Sequence, residues 1–533
     1  MKKERSRKHR VLQLLRVAVQ AVFLALFLKL LFGTRFSGED YIGNVEAFFH
    51  FDPLLAVVSF LASRQVLAFF GLAAATVVVT ALLGRVACGW VCPLGTVHQF
   101  FSWLFKKTKM ARPKKPAAGG LWVKYAVLVF VLVSAVFALD LAGLFDPLSF
   151  LTRTLTTAVI PAFAQTASAA VGGLYALKLN GFGDGLTQAI ERLTLNGTFQ
   201  QGFFIGLLFL GALLLNLWRE RFWCRSVCPT GALLGLLSRW NLFKVRVDEA
   251  KCTKCNLCST HCQTQASPFP NKEWKSSECV YCETCAAVCP TKAVTFPLRW
   301  KSEKPPAVDF SRRRVLATAA LAAASVPFFR VSKARKRAHE RLIRPPGSLA
   351  ENEFLAKCVK CGQCMKACPT NGLQPALSEA GPEGLWTPVL VPKIGYCEYY
   401  CSLCSQVCPT GAIKELTIPE KTAVKIGTAW VNKNRCLPYF LGRPCIVCEE
   451  HCPTSPKAIK FVMVEAKLPD GTVAVQKAPV IDLDLCIGCG ICETKCPVVD
   501  DPAIYITSVG ESRSKKNQLL LQTLSTPERW GTL

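Results

Sequence analysis

The sequence predicts an α-helical membrane domain with four transmembrane helices and an internal duplication, followed by small α+β modules built on cysteine loops. Three features carry that expectation: separated apolar runs, 28 cysteines of which most fall in regular groups, and positive charge set beside the apolar runs. At about 150 residues per domain, 533 residues allow three or four domains. A composition 51% hydrophobic and 19% charged is too apolar for a wholly soluble chain and too polar for one wholly within lipid.

Apolar runs near the about twenty residues that a spanning helix needs occur at 11–32, 66–84, 121–144 and 202–218. The net charge of +28 would suggest nucleic acid if it were spread over a soluble surface. It is concentrated instead at 1–10, at 106–115 and at Arg219, Arg221 and Arg225, beside the runs, and no aromatic platform interleaves with it. This is the positive-inside pattern, and it argues against nucleic acid and for membrane lipid. The basic amino terminus and the cysteines after the second and fourth runs are then cytoplasmic, with the links at 33–65 and 145–201 outside. Arg16 and Lys29, near the ends of the first run, can snorkel.

The membrane part reads as two copies. The first carries Phe51-Asp52-Pro53-Leu54 and then Cys88-Gly-Trp-Val-Cys92-Pro93-Leu-Gly95; the second carries Phe145-Asp146-Pro147-Leu148 and then Cys224-Arg-Ser-Val-Cys228-Pro229-Thr-Gly231. Asp52 and Asp146 have two readings: carboxylates bordering a quinol pocket on the outer side, or N-caps before a proline at the first helical position. Cys88, Cys92, Cys224 and Cys228 have three: a seventh cluster or a bound metal, a thiol/disulfide couple, or buried inert thiols.

The other 24 cysteines form six groups. Cys252/Cys255/Cys258/Cys262, Cys279/Cys282/Cys285/Cys289, Cys358/Cys361/Cys364/Cys368 and Cys486/Cys489/Cys492/Cys496 have the spacing C-x2-C-x2-C-x3-C. Cys397/Cys401/Cys404/Cys408 and Cys436/Cys445/Cys448/Cys452 open more loosely but keep the C-x2-C-x3-C-P ending. Three thiolates on a tight loop take three irons of a cubane, and the fourth leaves on a helix to reach a neighbouring cluster. Six 4Fe-4S clusters follow. Disulfides between cysteines this close would be strained and redundant, and tetrahedral zinc favours pairs separated by long gaps. The two groups at 252–289 make one two-cluster module, in which Cys289 serves the cluster of Cys252/Cys255/Cys258, and Cys262 that of Cys279/Cys282/Cys285. Gln263 stands where the other groups have proline, and alters the surroundings of one cluster.

Ser311-Arg312-Arg313-Arg314-Val315-Leu316 opens a short Ala-rich apolar run ending at Phe329. It reads as a twin-arginine export signal, which would add a fifth membrane helix, or as an amphipathic or buried helix. The expected domains are 1–240 (membrane), 241–300 (two-cluster module), 301–345 (linker with the apolar segment), 346–508 (four-cluster module) and 509–533 (polar, disordered tail).

The first 300 positions, with two CxxxCP motifs and a two-cluster module, resemble the NapH-type membrane ferredoxins of periplasmic nitrate reductase systems. Residues 311–508 resemble the NapG/MauM type, on the twin-arginine run, Arg344-Pro-Pro-Gly, Cys358-Val-Lys-Cys361-Gly-Gln-Cys364 and Gly442-Arg-Pro-Cys445-Ile-Val-Cys448. The chain therefore resembles a fusion of the two. The resemblance implies a bacterial inner-membrane protein with the 252–289 clusters cytoplasmic and the 358–496 clusters periplasmic. It implies electron flow between quinol and a periplasmic reductase or multihaem cytochrome, as a quinol dehydrogenase component or a plain electron carrier. It also implies that the first and fourth groups of the four-cluster part pair, as do the second and third. Copper reduction for metalloenzyme maturation is the first alternative function, and redox sensing the second. The six histidines (His9, His50, His98, His261, His339, His451) include none in the middle of an apolar run, and there is no C-x-x-C-H, so haem is not expected. No Gly-rich dinucleotide fingerprint calls for NAD or flavin.

Overall fold

The computed structural model describes residues 7–34, 36–37, 40–41, 45–66, 70–110, 120–178, 184–185, 187, 197–266, 274–298, 308, 310–330, 339–467 and 472–518. The expectations that fall on 1–6, 111–115, 301–307, 331–338 and 519–533 lie outside these. Two compact units form: Met1–Gly33, Gly43–Leu155 and Phe203–Val326 make the first, and Thr34–Ile42, Thr156–Gly202 and Pro327–Leu533 the second. The linear division expected from the sequence is thus interrupted, because 156–202 groups with the carboxy-terminal half and the 252–289 module groups with the membrane-type helices.

In the first unit the apolar runs form the helices Arg7–Gly33, Phe70–Leu83, Trp122–Val136 and Gly202–Leu214. The last three have only 14, 15 and 13 residues. Gly84 and Ala138 turn the backbone to positive φ just beyond two of them, and the third tightens into the 3-10 turn Leu215–Leu217. Among the described residues, two segments reach membrane-spanning size by length and composition, Val11–Gly33 and Pro147–Ala176, so the four spans expected are not all seen as long helices. The second of these lies in what the sequence suggested was an outward link. Asp146 caps it and Pro147 opens it. The buried Ser149, Thr152, Arg153, Thr154, Thr156 and Thr157 dilute its hydropathy. The expected fifth span, Arg312–Phe329, is a helix of 18 residues with Pro327 inside it and is not one of the two.

The helices have an inverted polarity. Arg85, Lys124 and Arg221 are buried, while Phe203, Leu207, Leu208, Leu210 and Leu214 on one helix are exposed. The two-cluster module, with its antiparallel strands Arg246–Val247 and Val294–Thr295, is fastened to these helices by polar groups. Glu278 binds Lys124 and accepts from the Tyr125 hydroxyl at 2.9 Å, and Trp90 Nε1 donates to Tyr281 O at 3.3 Å.

The second unit contains the hairpin Ile459–Lys467 with Val473–Ile481 and the strand pairs Thr428–Val431/Ile504–Thr507 and Leu373–Pro375/Pro388–Leu390. Its core is a cluster of Ile343, Phe354, Leu403, Val407 and Ile504 into which cysteines themselves are packed. The tail is ordered further than expected. Gly510 N donates to Asn517 O at 2.8 Å, and Arg513 Nη1 reaches Glu351 Oε2 at 2.7 Å, because the carboxylate needs a second cation beside Arg344.

Burial alone would raise the Glu351 carboxyl, but the Arg344 and Arg513 guanidiniums overcome it and hold it at about 2. A carboxyl depressed on folding contributes its stability above the unfolded carboxylate range and loses it as pH falls toward the folded value. At a side chain 30% exposed, screening reduces the figure. Glu351→Gln is therefore expected to cost about 1–2 kcal/mol at neutral pH. Chemical denaturation of the whole chain followed by circular dichroism should show the deficit shrinking by about pH 3; an unchanged deficit there would mean the charge is not what holds the tail.

Candidate functional site

Several cysteine loops turn sharply before a short helix. Asn256 and Glu283 take positive φ before Leu257–Thr260 and Thr284–Val288, and Gly362 and Gly490 do so before Gln363–Ala367 and Ile491–Lys495. The helix then delivers the fourth cysteine away from its own loop. In the 252–289 module Cys262 lies within electrostatic range of Cys279 and Cys285, in agreement with the crossing expected from the sequence, and Cys282 lies within range of the same two sulfurs.

The ligands expected in this module depart from the enclosed setting that a buried cluster would give them. Cys255 is exposed and the other seven, Cys258 and Cys282 among them, are partly exposed, whereas Cys358, Cys361 and Cys364 in the second unit are buried, as are Cys486, Cys489 and Cys492. The reason is local. The helix Leu257–Thr260 that carries Cys258 buries none of its residues, and Lys251, Thr253 and Lys254 beside Cys255 are exposed as well. Helix Thr284–Val288, by contrast, buries Ala286 and Ala287, which leaves Cys282 at the rim of a packed loop. The structure therefore gathers Cys262, Cys279, Cys282 and Cys285, while Cys252, Cys255 and Cys258 stand on an open loop and remain cluster ligands on their spacing. Cys289, their expected fourth partner, accepts from Ala293 N at 3.3 Å.

In the second unit the crossing runs between different partners from those that the resemblance implied. One cavity is lined by Cys397, Cys401 and Cys404 together with Cys368; another by Cys436, Cys445 and Cys448 with Cys496; a third by Cys486, Cys489 and Cys492 with Cys452. Cys408 in turn stands within range of Cys358 and Cys364. The first group therefore pairs with the second and the third with the fourth, not first with fourth and second with third. Packing decides it: helix Gln363–Ala367 lies on Leu403–Gln406, and Val447–Glu450 on Ile491–Lys495.

The residues fit 4Fe-4S clusters. None of the 28 cysteines is in a disulfide. Each of the three cavities is lined by four cysteines. Burial first, and neighbouring thiols among the further causes, push Cys448 and Cys489 up to about 12. Thiolates so crowded need positive charge at their centre, which bound iron supplies. Among the described residues no three His, Cys, Asp or Glu side chains are grouped as a single ion would need; a cubane asks for a wider cradle. Hydroxyls two residues on contact the departing sulfurs: Thr370 Oγ1 lies 3.5 Å from Cys368 Sγ, Thr454 Oγ1 3.3 Å from Cys452 Sγ, and Thr264 Oγ1 4.0 Å from Cys262 Sγ, so the loop with Gln263 keeps this contact. His261 and His451 turn Nδ1 to the carbonyls of Leu257 and Val447 at 3.0 and 2.9 Å, as helix ends do.

Sequence reasoning missed Lys421. It is 2% exposed, and its Nζ donates to Glu398 O at 2.5 Å and Tyr399 O at 2.7 Å, beside Cys397 and Cys401. It comes from helix Ile418–Ala423, outside every cysteine loop, so no spacing signalled it.

In the first unit the duplication brings its motifs together. Cys88, Cys92 and Cys224 lie within electrostatic range of Cys228. Cys92 and Cys228 each cap a helix that opens with proline, their sulfurs accepting from Gly95 N at 3.5 Å and Gly231 N at 3.2 Å. Asp52 and Asp146 cap their helices too, by Leu54 N at 2.8 Å and Ser149 N at 2.8 Å. They lie within electrostatic range of each other. Thr230, two residues past Cys228, donates to Asp146 Oδ1 at 2.9 Å. The aspartates are therefore near the thiols and not at the opposite ends of long helices, because the helices between them are short. His98 is buried, with Nδ1 at 2.8 Å from Asn216 Nδ2, while its Nε2 reaches no hydrogen-bond partner among the described residues.

Crossed sets of cysteines in small α+β modules define an iron–sulfur electron carrier of the ferredoxin type. Comparison with known proteins agrees. A 4Fe-4S binding-domain family matches residues 65–110 and 201–247, which contain both CxxxCP motifs. A 4Fe-4S dicluster family matches 357–412, and a further 4Fe-4S binding-domain family matches 272–295 and 479–499. The chain is similar to the methylamine utilization ferredoxin-type protein MauM of Methylorubrum extorquens, 40% identical over 19% of this chain and 47% of that protein. It is similar to the ferredoxin-type protein NapG of Escherichia coli, 36% identical over 18% of this chain and 42% of that protein. It is also similar to the ferredoxin-type protein NapH of Haemophilus influenzae, 29% identical over 42% of this chain and 65% of that protein. The chain thus spans under half of the MauM and NapG relatives, and a fusion of the NapH and NapG/MauM types is consistent with these matches. No solved structure matches it.

The pairing has a direct test. Cys368→Ser and Cys401→Ser should remove the same EPR signal from anaerobically purified protein, one of about six; a Cys368→Ser spectrum equal to that of Cys361→Ser would contradict it.

Proposed function

We propose that the chain is anchored in the bacterial inner membrane and passes electrons between quinol and a periplasmic reductase or multihaem cytochrome. The cysteine sets would hold six 4Fe-4S clusters, which supply one-electron transfer when bound. The observation that carries the reading is the first unit's inverted polarity, with buried Arg85, Lys124, Asp52 and Asp146 inside exposed apolar side chains, around a site tied to a ferredoxin module. Such a surface suits lipid. The names and matches of the NapH and NapG relatives support the same direction.

Within this reading Asp52 and Asp146 act as proton acceptors. Asp52 lies within electrostatic range of Asp146, and quinol oxidation must release protons, which carboxylates can take. Thr230 and the helix amides orient the pair. Reconstituted in liposomes with a reduced quinol, Asp52→Asn with Asp146→Asn should slow cluster reduction about 100-fold. An unchanged rate would leave the aspartates as helix caps alone.

The 252–289 clusters are cytoplasmic and the 358–496 clusters periplasmic in this proposal, since a folded cluster module needs the twin-arginine route that Arg312 and Arg313 offer. A reporter fused after residue 508 should be exported, and should stay inside when both arginines become lysine. A cytoplasmic reporter with Arg312 and Arg313 intact would put every cluster on one side. One observation favours a second reading: four soft thiols gather at Cys88, Cys92, Cys224 and Cys228, which suits Cu(I) and a metal-ion reductase.

A further inference from the structure

Two buried guanidiniums beside the CxxxCP cysteines have no part in the reactions above. Arg85 stands three residues before Cys88, and Arg221 three before Cys224, at the same offset in both copies. Each crosses to the other copy. A methyl group on Gly231, three residues past Cys228, would stand 2.8 Å from Arg85 Nη2, and one on Gly95, three past Cys92, would stand 3.8 Å from Arg221 Nη2. Arg221 Nη2 also donates to Gly95 O at 3.1 Å and to Gln99 Oε1 at 3.0 Å. Arg85 spans the two sides of its own repeat's loop, with Nη2 at 4.0 Å from Cys88 Sγ and Nη1 donating to Ser277 O at 2.9 Å.

The two arginines are 2% and 1% exposed. A guanidinium so placed is costly without an anion. Glu278 approaches Arg85 at 3.5 Å, but among the described residues no carboxylate pairs with Arg221. Arg221 Nε and Nη1 and Arg85 Nε, all buried, reach no hydrogen-bond partner among the described residues. The charges they do face are sulfurs: Cys92 and Cys224 for Arg221, and Cys88 and Cys228 for Arg85. The amides of Gly95 and Gly231, at the amino ends of the helices Pro93–Lys107 and Pro229–Leu237, point positive dipole ends at the same sulfurs. Four thiols, two guanidiniums with unused donors and two helix termini describe a cradle for a group with net negative charge.

We propose that Cys88, Cys92, Cys224 and Cys228 hold one further iron–sulfur cubane, anionic with its four thiolates, and that Arg85 and Arg221 are its paired counter-cations, each given by one repeat to the cysteine loop of the other. The proposal rests on the electron-carrier reading and deepens it. Since both thiolates and cations are divided between the copies, the site is complete only when the copies are docked. Through Ser277 O, Arg85 also joins it to the residue two positions before Cys279, the first ligand of a cluster in the two-cluster module. The arginines are positioning residues. Their charge favours the more negative, reduced state of the centre and so raises its midpoint potential.

The test uses the full chain, purified anaerobically in detergent, with metal analysis and an EPR-monitored redox titration. Wild type should hold about 28 irons, and the Cys88/Cys92/Cys224/Cys228→Ser variant about 24, with one signal missing. In Arg221→Gln that same signal should move to lower potential or be lost with its irons while the other signals stay in place, and Arg221→Lys should restore it. Equal iron in wild type and the four-serine variant, or copper bound in its place, would overturn the cubane itself. A seventh signal at unchanged potential in both Arg221→Gln and Arg85→Gln would overturn the counter-cation role alone. Should Arg221→Gln fail to accumulate, Arg85→Gln and Arg221→Lys decide the same question.

Discussion

Four thiolates cannot be buried together without positive charge among them, and most of this molecule is arranged around that constraint. In the second unit the cysteines are not appended to a finished core; Cys358, Cys364, Cys448, Cys486 and Cys492 are part of it, beside Phe354, Leu403 and Val407. Cavities lined by sulfur remain where side chains would otherwise interlock. Cluster binding is therefore coupled to folding, as it is wherever ligands must deprotonate and converge. The crossing of the fourth cysteine adds a second consequence. Each loop completes its neighbour, so paired sites form together, and Lys421 brings fixed positive charge to one of them from outside its loops.

The first unit answers the same constraint by duplication. Short helices that open Asp-Pro or Cys-Pro point their amino ends inward, at a carboxylate pair and at four thiols. Polar groups that would be ruinous on a lipid-facing surface are gathered inside, while exposed leucines and phenylalanines cover the outside. Lys124, Tyr125 and Arg85 converge on Glu278, so the ferredoxin module is held at the residue preceding its ligand Cys279.

The chemistry of the site was legible in the sequence because cluster ligation fixes short spacings: C-x2-C-x2-C-x3-C names its ligands without any fold. The same spacing says nothing of enclosure, so the exposure of Cys255 and the half-open settings of Cys258 and Cys282 were not legible beside the buried Cys361 and Cys489 of equal motifs. The crossing of Cys262 could be read, since only two groups were available to pair. With four groups, pairing depends on which short helices pack, as Gln363–Ala367 does on Leu403–Gln406, and spacing does not encode that. Helix lengths were not legible for a related reason. Hydropathy counts apolar residues along the chain, whereas Gly84 and Ala138 end helices by backbone conformation, and the buried threonines and Arg153 of the segment Pro147–Ala176 lower the count where a long helix exists. Arg85 and Arg221 did leave a sequence signal, the same offset before both CxxxCP motifs, but it gains meaning only when the copies are seen to cross.

In the second unit every cysteine site is completed by a thiol from another loop. This crossing is tested most directly by a cryo-EM map of the anaerobically purified, cluster-loaded protein. The account predicts that the density at Cys397, Cys401 and Cys404 is bonded to Cys368, and that at Cys486, Cys489 and Cys492 to Cys452. Density that joins Cys368 to Cys358, Cys361 and Cys364 would contradict it.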